Sequence, residues 1–293
     1  MSATITLIIP TLNAYENLRQ SPHLAGIIQS TPTLIIDSSS SDDTVAYAQS
    51  LGAQVRSIPR ESFNHGATRE YARTIIPSDI VVFLTQDAIP VAADLIAQLI
   101  APLLANPEVA VSYGRQLPRP GAGLLEAFPR EFNYGSNAQL RALADIPRYG
   151  VYTFFCSNSC AAYKNAALDR IGGFKSVLTN EDYFATAELL LQGYQIAYVP
   201  EAQVWHSHAY TLQEEFQRYF ATGYVRAQHP QIQQLVGQAE RRGREFIQQL
   251  LRKIYQQQPL LLPYAVLHTL IKWLGYRLGF YAYQLGRFVA NKR

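Results

Sequence analysis

The chain has 293 residues, of which 48% are hydrophobic, and its 25 basic and 22 acidic side chains leave a net charge of +3. So small an excess of positive charge does not favour a nucleic-acid-binding protein, and no run of about 18 apolar residues predicts a membrane-spanning helix. The length and the hydrophobic content predict one large folded domain, or one domain with a smaller appendage.

Cysteine usage and the N-terminus indicate the compartment in which the chain works. Cys156 and Cys160 form a single C-x3-C motif without a second pair, which favours two buried free thiols over a zinc site. Nothing therefore requires an oxidising compartment. The N-terminus enters a strand-like segment at once, without the basic region and long apolar stretch of a signal peptide, so we expect none.

Short apolar runs alternate with helix-length segments through the first part of the chain. Strands are predicted at residues 5–9, 34–36, 55–58, 80–84 and 109–111, and helices at residues 45–51, 64–76 and 92–104. This alternation predicts βαβ units on a mostly parallel sheet. The stretch 114–149, which is rich in proline, glycine, aromatic residues and arginine, is interpreted as loops and short helices over one end of the sheet.

Asp87 follows a β-branched, wholly apolar run at residues 80–84. Ligands bind at the carboxyl ends of strands in open α/β sheets, although a simple turn aspartate explains Asp87 equally well. The first strand-to-helix turn, Pro10-Thr11-Leu12-Asn13-Ala14, lacks the glycines of a dinucleotide-binding loop, and the sequence has no P-loop. A bound diphosphate would need another source of positive charge, which a divalent cation held by Asp87 would supply.

An acidic pair and an H-x-H motif follow in the second half. Residues 156–163 are predicted to form a strand, and Asn180 is predicted to cap the next helix. Glu181 and Asp182 fall in the first turn of that helix, where the dipole favours acidic residues whether or not they have a further role. Strand pieces at residues 197–200 and 204–205 lead to His206-Ser207-His208, whose two histidines share one face and are candidate metal ligands.

Residues 211–293 are predicted to be largely helical, beginning at the capping box Thr211-Leu212-Gln213-Glu214. In the last segment, a helical wheel separates an apolar arc from a basic and polar side. Packing on the catalytic domain or on a second subunit explains this pattern, and so does lying in a membrane interface. The apolar arc comprises Leu267, Leu270, Ile271, Leu274, Leu278, Tyr281, Leu285 and Phe288. The opposite side comprises His268, Lys272, Arg277, Gln284 and Arg287, interleaved with the aromatic residues Trp273, Tyr276, Phe280 and Tyr283.

Several motifs, in their order along the chain, resemble glycosyltransferase family 2. They are Ile8-Ile9-Pro10-Thr11-Leu12-Asn13, Ile36-Asp37-Ser38-Ser39-Ser40-Ser41-Asp42-Asp43-Thr44, Gln86-Asp87-Ala88, Gly172-Gly173-Phe174, Glu181-Asp182 and His206. The resemblance implies an inverting, nucleotide-sugar-dependent enzyme with the A-type glycosyltransferase fold, in which helices flank a Rossmann-like, mostly parallel sheet. The segment Phe63-Asn64-His65-Gly66-Ala67-Thr68-Arg69, with Thr85-Gln86-Asp87-Ala88 and His206-Ser207-His208, is similar to the rhamnosyltransferase branch.

The resemblance also implies a division of the chain. It covers roughly the first 210 residues, so the catalytic, nucleotide-sugar-binding domain is expected over residues 1–210. A C-terminal helical extension is expected over residues 211–293, for packing, dimer formation or contact with a membrane surface.

Carried over onto this sequence, the resemblance implies roles for the matching residues. Asp182 would be the general base and Glu181 its neighbour, while Asp87 and His206, with His208 as a substitute, would hold Mn²⁺ or Mg²⁺. Gln86 and Ala88 stand where many relatives have aspartates, which implies weaker metal binding or a different mode. Asp37 would contact the base or ribose, and Arg69 the base or diphosphate. The expected donor-binding residues are Thr11, Asn13, Asp37, Ser39, His65, Arg69 and Gln86.

These residue types fit sugar transfer. An inverting transfer is a single displacement at the anomeric carbon, so it needs one base for the acceptor hydroxyl and positive charge for the leaving diphosphate. The favoured hypothesis is transfer of L-rhamnose from dTDP-rhamnose, or of another sugar from a dTDP- or UDP-sugar, to a glycan or lipid-linked acceptor in polysaccharide assembly. We expect a protein of the cytoplasm or the inner face of the cell membrane, with peripheral membrane contact and a homodimer both left open.

Two other functions remain compatible with the sequence. A sugar-phosphate nucleotidyltransferase uses a similar sheet, but no glycine-rich loop bearing lysine or arginine follows the first strand. A non-catalytic nucleotide-sugar-binding protein would suit the Gln86-Asp87-Ala88 motif, but a pure binder has no need of Asp182 and His206.

Overall fold

Nine strands form one sheet in the computed structural model, which describes residues 3–236 and 239–290. The strands are β1 (Ile5–Thr11), β2 (Thr33–Asp37), β3 (Gln54–Ser57), β4 (Ile80–Leu84), β5 (Ile89–Pro90), β6 (Val109–Leu117), β7 (Gln139–Arg141), β8 (Cys160–Lys164) and β9 (Gln195–Trp205). Their order across the sheet is β3-β2-β1-β4-β8-β6-β9-β5, and β7 also pairs with β9.

Helices cover both faces of the sheet and follow it at the C-terminal end of the chain. They are α1 (Tyr15–Arg19), α2 (Leu24–Ser30), α3 (Thr44–Ser50), α4 (His65–Thr74), α5 (Leu95–Ala105), α6 (Leu124–Asn133), α7 (Ile146–Tyr149), α8 (Asn165–Arg170), α9 (Glu181–Leu191), α10 (Leu212–Gln228), α11 (Pro230–Val236), α12 (Ala239–Gln257) and α13 (Leu262–Ala290). Single 3₁₀ turns lie at Arg60–Ser62, Leu143–Asp145, Gly150–Phe154 and Pro259–Leu261.

The sheet is mixed. Strands β3, β2, β1 and β4 are parallel, as the sequence predicts, while β4 pairs antiparallel with β8 and β8 with β6. Buried side chains on successive residues of β1 and β4 divide between two cores, one on each face, because neighbouring residues of a strand point in opposite directions. Ile8 packs in one core, and Leu7 and Ile9 pack in the other. The wholly apolar strands are therefore buried on both sides.

The strand predicted at residues 156–163 is wrong in its first half, because β8 begins only at Cys160. Residues 156–159 turn instead: the amide N–H of Cys160 donates to the Ser157 carbonyl, and the Asn158 side chain accepts from the Tyr163 hydroxyl. Both cysteines are buried and free, which confirms the expectation of thiols. The region read as loops also contains the end of β6 and the ten-residue helix α6.

Helix α13 packs on α10 through glycines. A Cβ atom at Gly279 would lie 2.0 Å from the Phe220 carbonyl oxygen, and one at Gly223 would lie 2.0 Å from that of Tyr276, so the two backbones touch. Next to this crossing, Glu215 of α10 accepts from Lys272 at 2.9 Å and lies 3.3 Å from His268. The capping box at Thr211 and Glu214 forms as predicted and starts α10.

The contact with α10 leaves most of the predicted apolar arc of α13 in solvent. Leu267, Leu270, Leu278 and Leu285 are each at least 44% exposed. The placement of Arg277 and Trp273 on the opposite side is wrong. The Arg277 guanidinium lies over the rings of Trp273 and Tyr281, 5.9 and 4.9 Å from the ring centres, as residues four apart on a helix do, and Tyr281 belongs to the apolar arc. The side chains of Arg287 and Phe288 fall outside the described residues. Among the described helices, none has the length and hydropathy to cross a membrane.

Candidate active site

A cleft of about 800 Å³ opens at the carboxyl ends of β1 and β4. These strands are parallel neighbours, so their ends meet at one edge of the sheet. Nine of the predicted site residues line the cleft: Thr11, His65, Arg69, Gln86, Asp87, Glu181, Asp182, His206 and His208. The other three, Asn13, Asp37 and Ser39, lie in or beside the loops that follow β1 and β2.

Asp87, His206 and His208 converge within the cleft. The His208 Nε2 atom lies 3.0 Å from Asp87 Oδ2, His206 Nε2 lies 3.5 Å from Asp87 Oδ1, and the two Nε2 atoms are 3.2 Å apart. Asp87 leaves the end of β4, and both histidines follow β9, which brings residues far apart in sequence to one point. The structure thus unites the three residues that the sequence analysis names as metal ligands.

The charge states of this trio suit a cation. Burial raises the pKa of Asp87, but hydrogen bonds from His206 and His208 outweigh it and hold the pKa of the carboxyl well below its usual range. Burial lowers the pKa of His206, and the attraction of Asp87 opposes this only in part. At neutral pH, Asp87 is therefore a carboxylate and His206 a neutral imidazole, the forms that bind metal ions.

Gln116 fixes the ring of His206. Its side-chain Nε2 donates a hydrogen bond to Ser157 Oγ at 2.8 Å. Its Oε1 lies 3.0 Å from His206 Nδ1 and can therefore accept a hydrogen bond from the ring N–H. With a proton on Nδ1, the neutral ring would present the lone pair of Nε2 to an ion beside Asp87, in place of the hydrogen bond that Nε2–H gives Asp87 when no ion is bound. Metal-binding histidines are commonly oriented by such a partner on the second ring nitrogen.

The trio fits a divalent cation by both spacing and donor chemistry. Adjacent ligand atoms of an octahedral ion with bonds of about 2.1 Å lie about 3 Å apart. The two histidine Nε2 atoms are 3.2 Å apart and His208 Nε2 is 3.0 Å from Asp87 Oδ2. With one ligand atom from each of the three residues, all three atoms lie within 4.8 Å of one another. One carboxylate and two imidazoles can serve Mn²⁺, whereas Mg²⁺ prefers oxygen ligands. Of the groups formed by described residues, this trio alone has three donors that are close enough for one ion.

Gln86 and Ala88 occupy the positions on either side of the single aspartate. Gln86 binds the backbone of Leu12 at both ends of its amide, accepting from the N–H at 2.7 Å and donating to the carbonyl at 3.1 Å. Ala88 is buried in the core. Gln86 therefore ties the loop after β1 to the loop after β4, and neither position offers a second carboxylate beside Asp87.

Asp37 lies just behind the cleft wall and is only 1% exposed. Its carboxylate accepts from the Thr11 hydroxyl at 3.1 Å, from the Ser40 hydroxyl at 2.5 Å and from the Ser40 amide at 2.9 Å. Asn13 and Ser39 both have positive φ angles, of 48° and 60°, which marks tightly turned loops. The predicted contact of Asp37 with a base or ribose remains a prediction.

Glu181 and Arg69 form a buried ion pair in the cleft wall. Arg69 Nη1 donates to Glu181 Oε1 at 2.9 Å, and the side-chain amide of Asn158 donates to the same oxygen at 3.1 Å. Gly66 lets the start of α4 approach the loop before α9 and Glu181 itself, since a Cβ atom there would lie 1.9 Å from the Lys175 carbonyl oxygen and 3.3 Å from the Glu181 Cβ atom. Burial and the nearby charge of Arg69 lower the pKa of His65, so this neighbouring side chain is neutral.

Asp182, next to this pair, lines the cleft. Among the described residues, no lysine, arginine or histidine forms an ion pair with its carboxyl group. It accepts from the amide of Asn158 at 3.2 Å and from that of Tyr183 at 2.7 Å. Burial, together with the negative charge of Glu181, raises the pKa of Asp182 to about 7. A carboxyl group with this pKa is suited to take up a proton near neutral pH.

Asn180 precedes α9 as predicted, but the prediction that its side chain caps the helix is wrong. Its φ angle is 63°, and in this left-handed conformation the side chain makes no hydrogen bond to the first turn. The amide nitrogen is buried without a protein partner, and the residue lines the cleft. Single residues in this conformation cluster at functional sites, because the surrounding fold must impose them.

The sequence analysis missed the remaining positive charge of the cleft. Arg60, Arg130, Arg218 and Arg226 line it, and they come from three separate parts of the chain: the turn at Arg60–Ser62, α6 and α10. Arg130 also donates to the carbonyl of His206 at 2.6 Å. No motif marks these residues, since each is an ordinary basic residue until the fold brings it to the cleft. Their combined charge suits an anionic ligand such as a diphosphate.

Comparison with known proteins links the chain to one family. The family described as "Glycosyltransferase like family 2" matches residues 4–224. The O-antigen chain rhamnosyltransferase RfbN of Salmonella typhimurium is 40% identical over 285 residues, which cover 94% of this chain and 89% of that protein. The O-antigen chain rhamnosyltransferase WbaN of Salmonella anatum is 38% identical over 286 residues, with the same coverage.

Two solved structures resemble the fold over nearly the whole chain. A mannosyltransferase from Pyrobaculum calidifontis, in complex with GDP-Man and Mn²⁺, has a TM-score of 0.60 at 17% identity and covers 99% of this chain and 87% of its own. TarS of S. aureus, in complex with UDP-GlcNAc, also has a TM-score of 0.60, at 14% identity, with 97% and 92% covered. At these identities the likeness concerns the fold alone, and it confirms the predicted fold class.

Proposed function

The chain belongs to glycosyltransferase-like family 2, and on that premise we propose that it is an inverting rhamnosyltransferase of polysaccharide biosynthesis. The proposed reaction moves L-rhamnose from dTDP-rhamnose to a growing glycan. Two named O-antigen chain rhamnosyltransferases, each aligned with 94% of this chain, support the choice of sugar and acceptor. The observation that carries the proposal is that Asp182 and the trio of Asp87, His206 and His208 line the same cleft.

Asp182 is the base of the proposed mechanism. Its carboxylate removes the proton of the acceptor hydroxyl while the new bond from that oxygen to the anomeric carbon forms and the bond to the diphosphate breaks. Glu181 keeps Asp182 poised through its negative charge while remaining paired with Arg69. Asn158 binds both carboxylates, through its amide N–H and its side chain, and so fixes their separation.

The other wall of the cleft handles the negative charge of the donor. Asp87, His206 and His208 would hold Mn²⁺ or Mg²⁺, and the likeness to a mannosyltransferase with GDP-Man and Mn²⁺ supports that assignment. When bound, the ion would stabilise the charge that gathers on the leaving nucleoside diphosphate. Arg130 and the neighbouring arginines add fixed positive charge, and Thr11, Asn13, Asp37 and Ser39 would position the nucleoside.

The acceptor we propose is a glycan attached to a lipid carrier, used at the inner face of the cell membrane. Such an acceptor requires the protein to stay close to a membrane surface, either as a monomer or as a homodimer. Both peripheral contact and dimer formation would use the exposed part of α13. The two functions set against this one are less well supported, because the family match covers residues 4–224 and the close relatives are transferases.

Turnover of defined donors tests the proposal. The purified protein would be incubated with an acceptor glycan, Mn²⁺ and, in turn, dTDP-rhamnose, UDP-glucose or a nucleoside triphosphate with rhamnose 1-phosphate. We expect product only from dTDP-rhamnose, with inverted configuration at the anomeric carbon by NMR, and a loss of roughly 10²- to 10⁴-fold in Asp182→Asn. Nucleotidyl transfer, or a product that retains the donor configuration, would contradict the proposal.

A further inference from the structure

Helix α13 presents an apolar face that nothing in the described structure covers. The side opposite the contact with α10 carries seven large hydrophobic side chains, each at least 44% exposed. They extend over five turns, a length of roughly 29 Å at 1.5 Å per residue. We call this set the outer face of α13. It comprises Val266, Leu267, Leu270, Trp273, Leu278, Tyr281 and Leu285.

The inner side of the helix does not share this character. It packs on α10 through Gly275 and Gly279, while His268 and Lys272 pair with Glu215. The seven large apolar side chains of the outer face therefore take no part in the contact between α13 and α10. Leaving so many large apolar side chains in water is unfavourable, and a contiguous patch of this kind marks an interaction surface.

The charges point to the kind of partner. Residues 246–293 contain seven lysines and arginines and no aspartate or glutamate, although the whole chain has a net charge of only +3. Arg277 lies within the outer face, with its guanidinium over the rings of Trp273 and Tyr281. A second copy packed on this face would bring two Arg277 residues near each other with no acidic partner in the segment. Lipid phosphates would instead pair with Arg277, and tryptophan and tyrosine favour the headgroup region.

We propose that the outer face of α13 docks on the surface of an anionic lipid bilayer. The helix lies along the surface with its leucines among the acyl chains and Arg277 among the phosphates. This docking rests on the geometry and charge of α13 and does not depend on the identity of the donor sugar.

The position of the docking surface relative to the cleft suits an acceptor held by the bilayer. A side cavity of about 310 Å³ is lined by Leu124, Leu261 and Tyr264, and it reaches His208 and Tyr210, which also line the main cleft. Leu260, at the turn that leads into α13, is 97% exposed beside this route. Entry of a lipid-linked acceptor by this route, unlike the docking itself, rests on the proposed function.

Sedimentation with lipid vesicles tests the docking without donor or acceptor. The full chain would be mixed with vesicles of phosphatidylcholine alone or of phosphatidylcholine with phosphatidylglycerol. We expect it to bind the anionic vesicles more tightly, and Leu270→Glu with Leu278→Glu to weaken that binding by at least about tenfold. Arg277→Gln should remove most of the preference for anionic lipid. Leu104→Glu, at a leucine of α5 that is 58% exposed, is the matched control and should bind like the unchanged chain.

Fluorescence and oligomeric state complete the test. The emission of Trp273, one of two tryptophans, should shift to the blue on anionic vesicles, and Trp273→Phe should remove the shift while keeping most of the binding. Unchanged nucleotide binding by the double variant would show that the cleft is intact, which separates this test from that of the proposed function. The docking proposal is overturned if the unchanged chain binds neither type of vesicle. It is also overturned if the unchanged chain is a dimer and the variant Leu270→Glu with Leu278→Glu is a monomer.

Discussion

At the scale of single residues, the account depends most on Asp182 and its raised pKa of about 7. A base must be deprotonated to act, so turnover should fall about tenfold per pH unit below pH 7 and level off above it. Asp182→Asn should lower kcat by roughly 10²- to 10⁴-fold without changing donor affinity much. Asp94→Asn, at a residue of the loop before α5, serves as the control. Full turnover at a pH well below 7 would contradict the assignment.

The same shift has a consequence for stability. Because the folded pKa of Asp182 lies above the usual value of 3.8, the folded protein holds this proton more tightly than the unfolded chain does. Asp182 therefore costs stability as the pH rises from about 4 to about 7, and Asp182→Asn removes that cost. Urea unfolding at about pH 5 and about pH 8 should show a relative gain in stability for the variant at the higher pH. If the difference in unfolding free energy between the variant and the unchanged chain is the same at both pH values, Asp182 is not a buried carboxyl that titrates between them.

In the proposed metal site, Gln116 would act through His206, whose Nδ1 lies 3.0 Å from Gln116 Oε1. Gln116→Leu removes the acceptor at Nδ1, and the loss of ring orientation should weaken Mn²⁺ binding by about 10- to 100-fold. Gln116→Glu keeps an acceptor and should restore part of the affinity. Calorimetric titration of Mn²⁺ measures this, and kcat at saturating Mn²⁺ should fall far less than the affinity. Equal Mn²⁺ affinity in Gln116→Leu and the unchanged chain would rule out the role.

Among single residues, the sequence predicted those that stand in short motifs. Asp87, His206 and His208 were candidates from their type and their position after strands, whereas Asp182 was identified as a base only through the resemblance to glycosyltransferase family 2; all four line the cleft. The residues that orient them could not be predicted, since nothing in the sequence shows that the side chain of Gln116 reaches His206. Side chains that meet only through the tertiary fold carry no local pattern.

At the scale of secondary structure, the crossing of α10 and α13 depends on glycine. Gly279→Ala would place a Cβ atom 2.0 Å from the Phe220 carbonyl oxygen, so the helices must separate. We expect a loss of about 1–3 kcal/mol in the free energy of unfolding, as for other overpacked contacts. Gly286→Ala, on the same helix with open space around it, should stabilise by up to about 1 kcal/mol through helix propensity. If the two substitutions change the midpoint of thermal unfolding by similar amounts, α10 and α13 can move apart without loss of stability.

The elements themselves were largely predictable, and their packing was not. Strands such as β1, β2 and β4 were evident because runs that are buried on both faces are apolar throughout. The helical wheel of α13 separated an apolar arc from the other side but left open whether that arc packs on the protein or lies in a membrane interface. The structure packs the glycine-bearing side against α10, because only small residues let the two backbones touch. A wheel records hydropathy and does not record how closely another helix can approach.

At the scale of the whole molecule, the catalytic cleft and the C-terminal helices share α10. This helix places Arg218 and Arg226 in the cleft and packs its other side on α13. The family match likewise ends at residue 224, within α10. The division at residue 210 stays a prediction. If α13 docks on a bilayer as proposed, the shared helix α10 connects it physically to the residues that line the cleft.

The most direct test of the central claim is calorimetric binding of dTDP with and without Mn²⁺. The account predicts that dTDP binds much more tightly with Mn²⁺, and that UDP and GDP bind less well. The dependence on Mn²⁺ should be lost in a variant that combines His206→Ala with His208→Ala, because only the Asp87 carboxylate of the trio remains. Equally tight binding of dTDP without metal would assign the diphosphate to the arginines of the cleft. Such a result would contradict the proposed metal site.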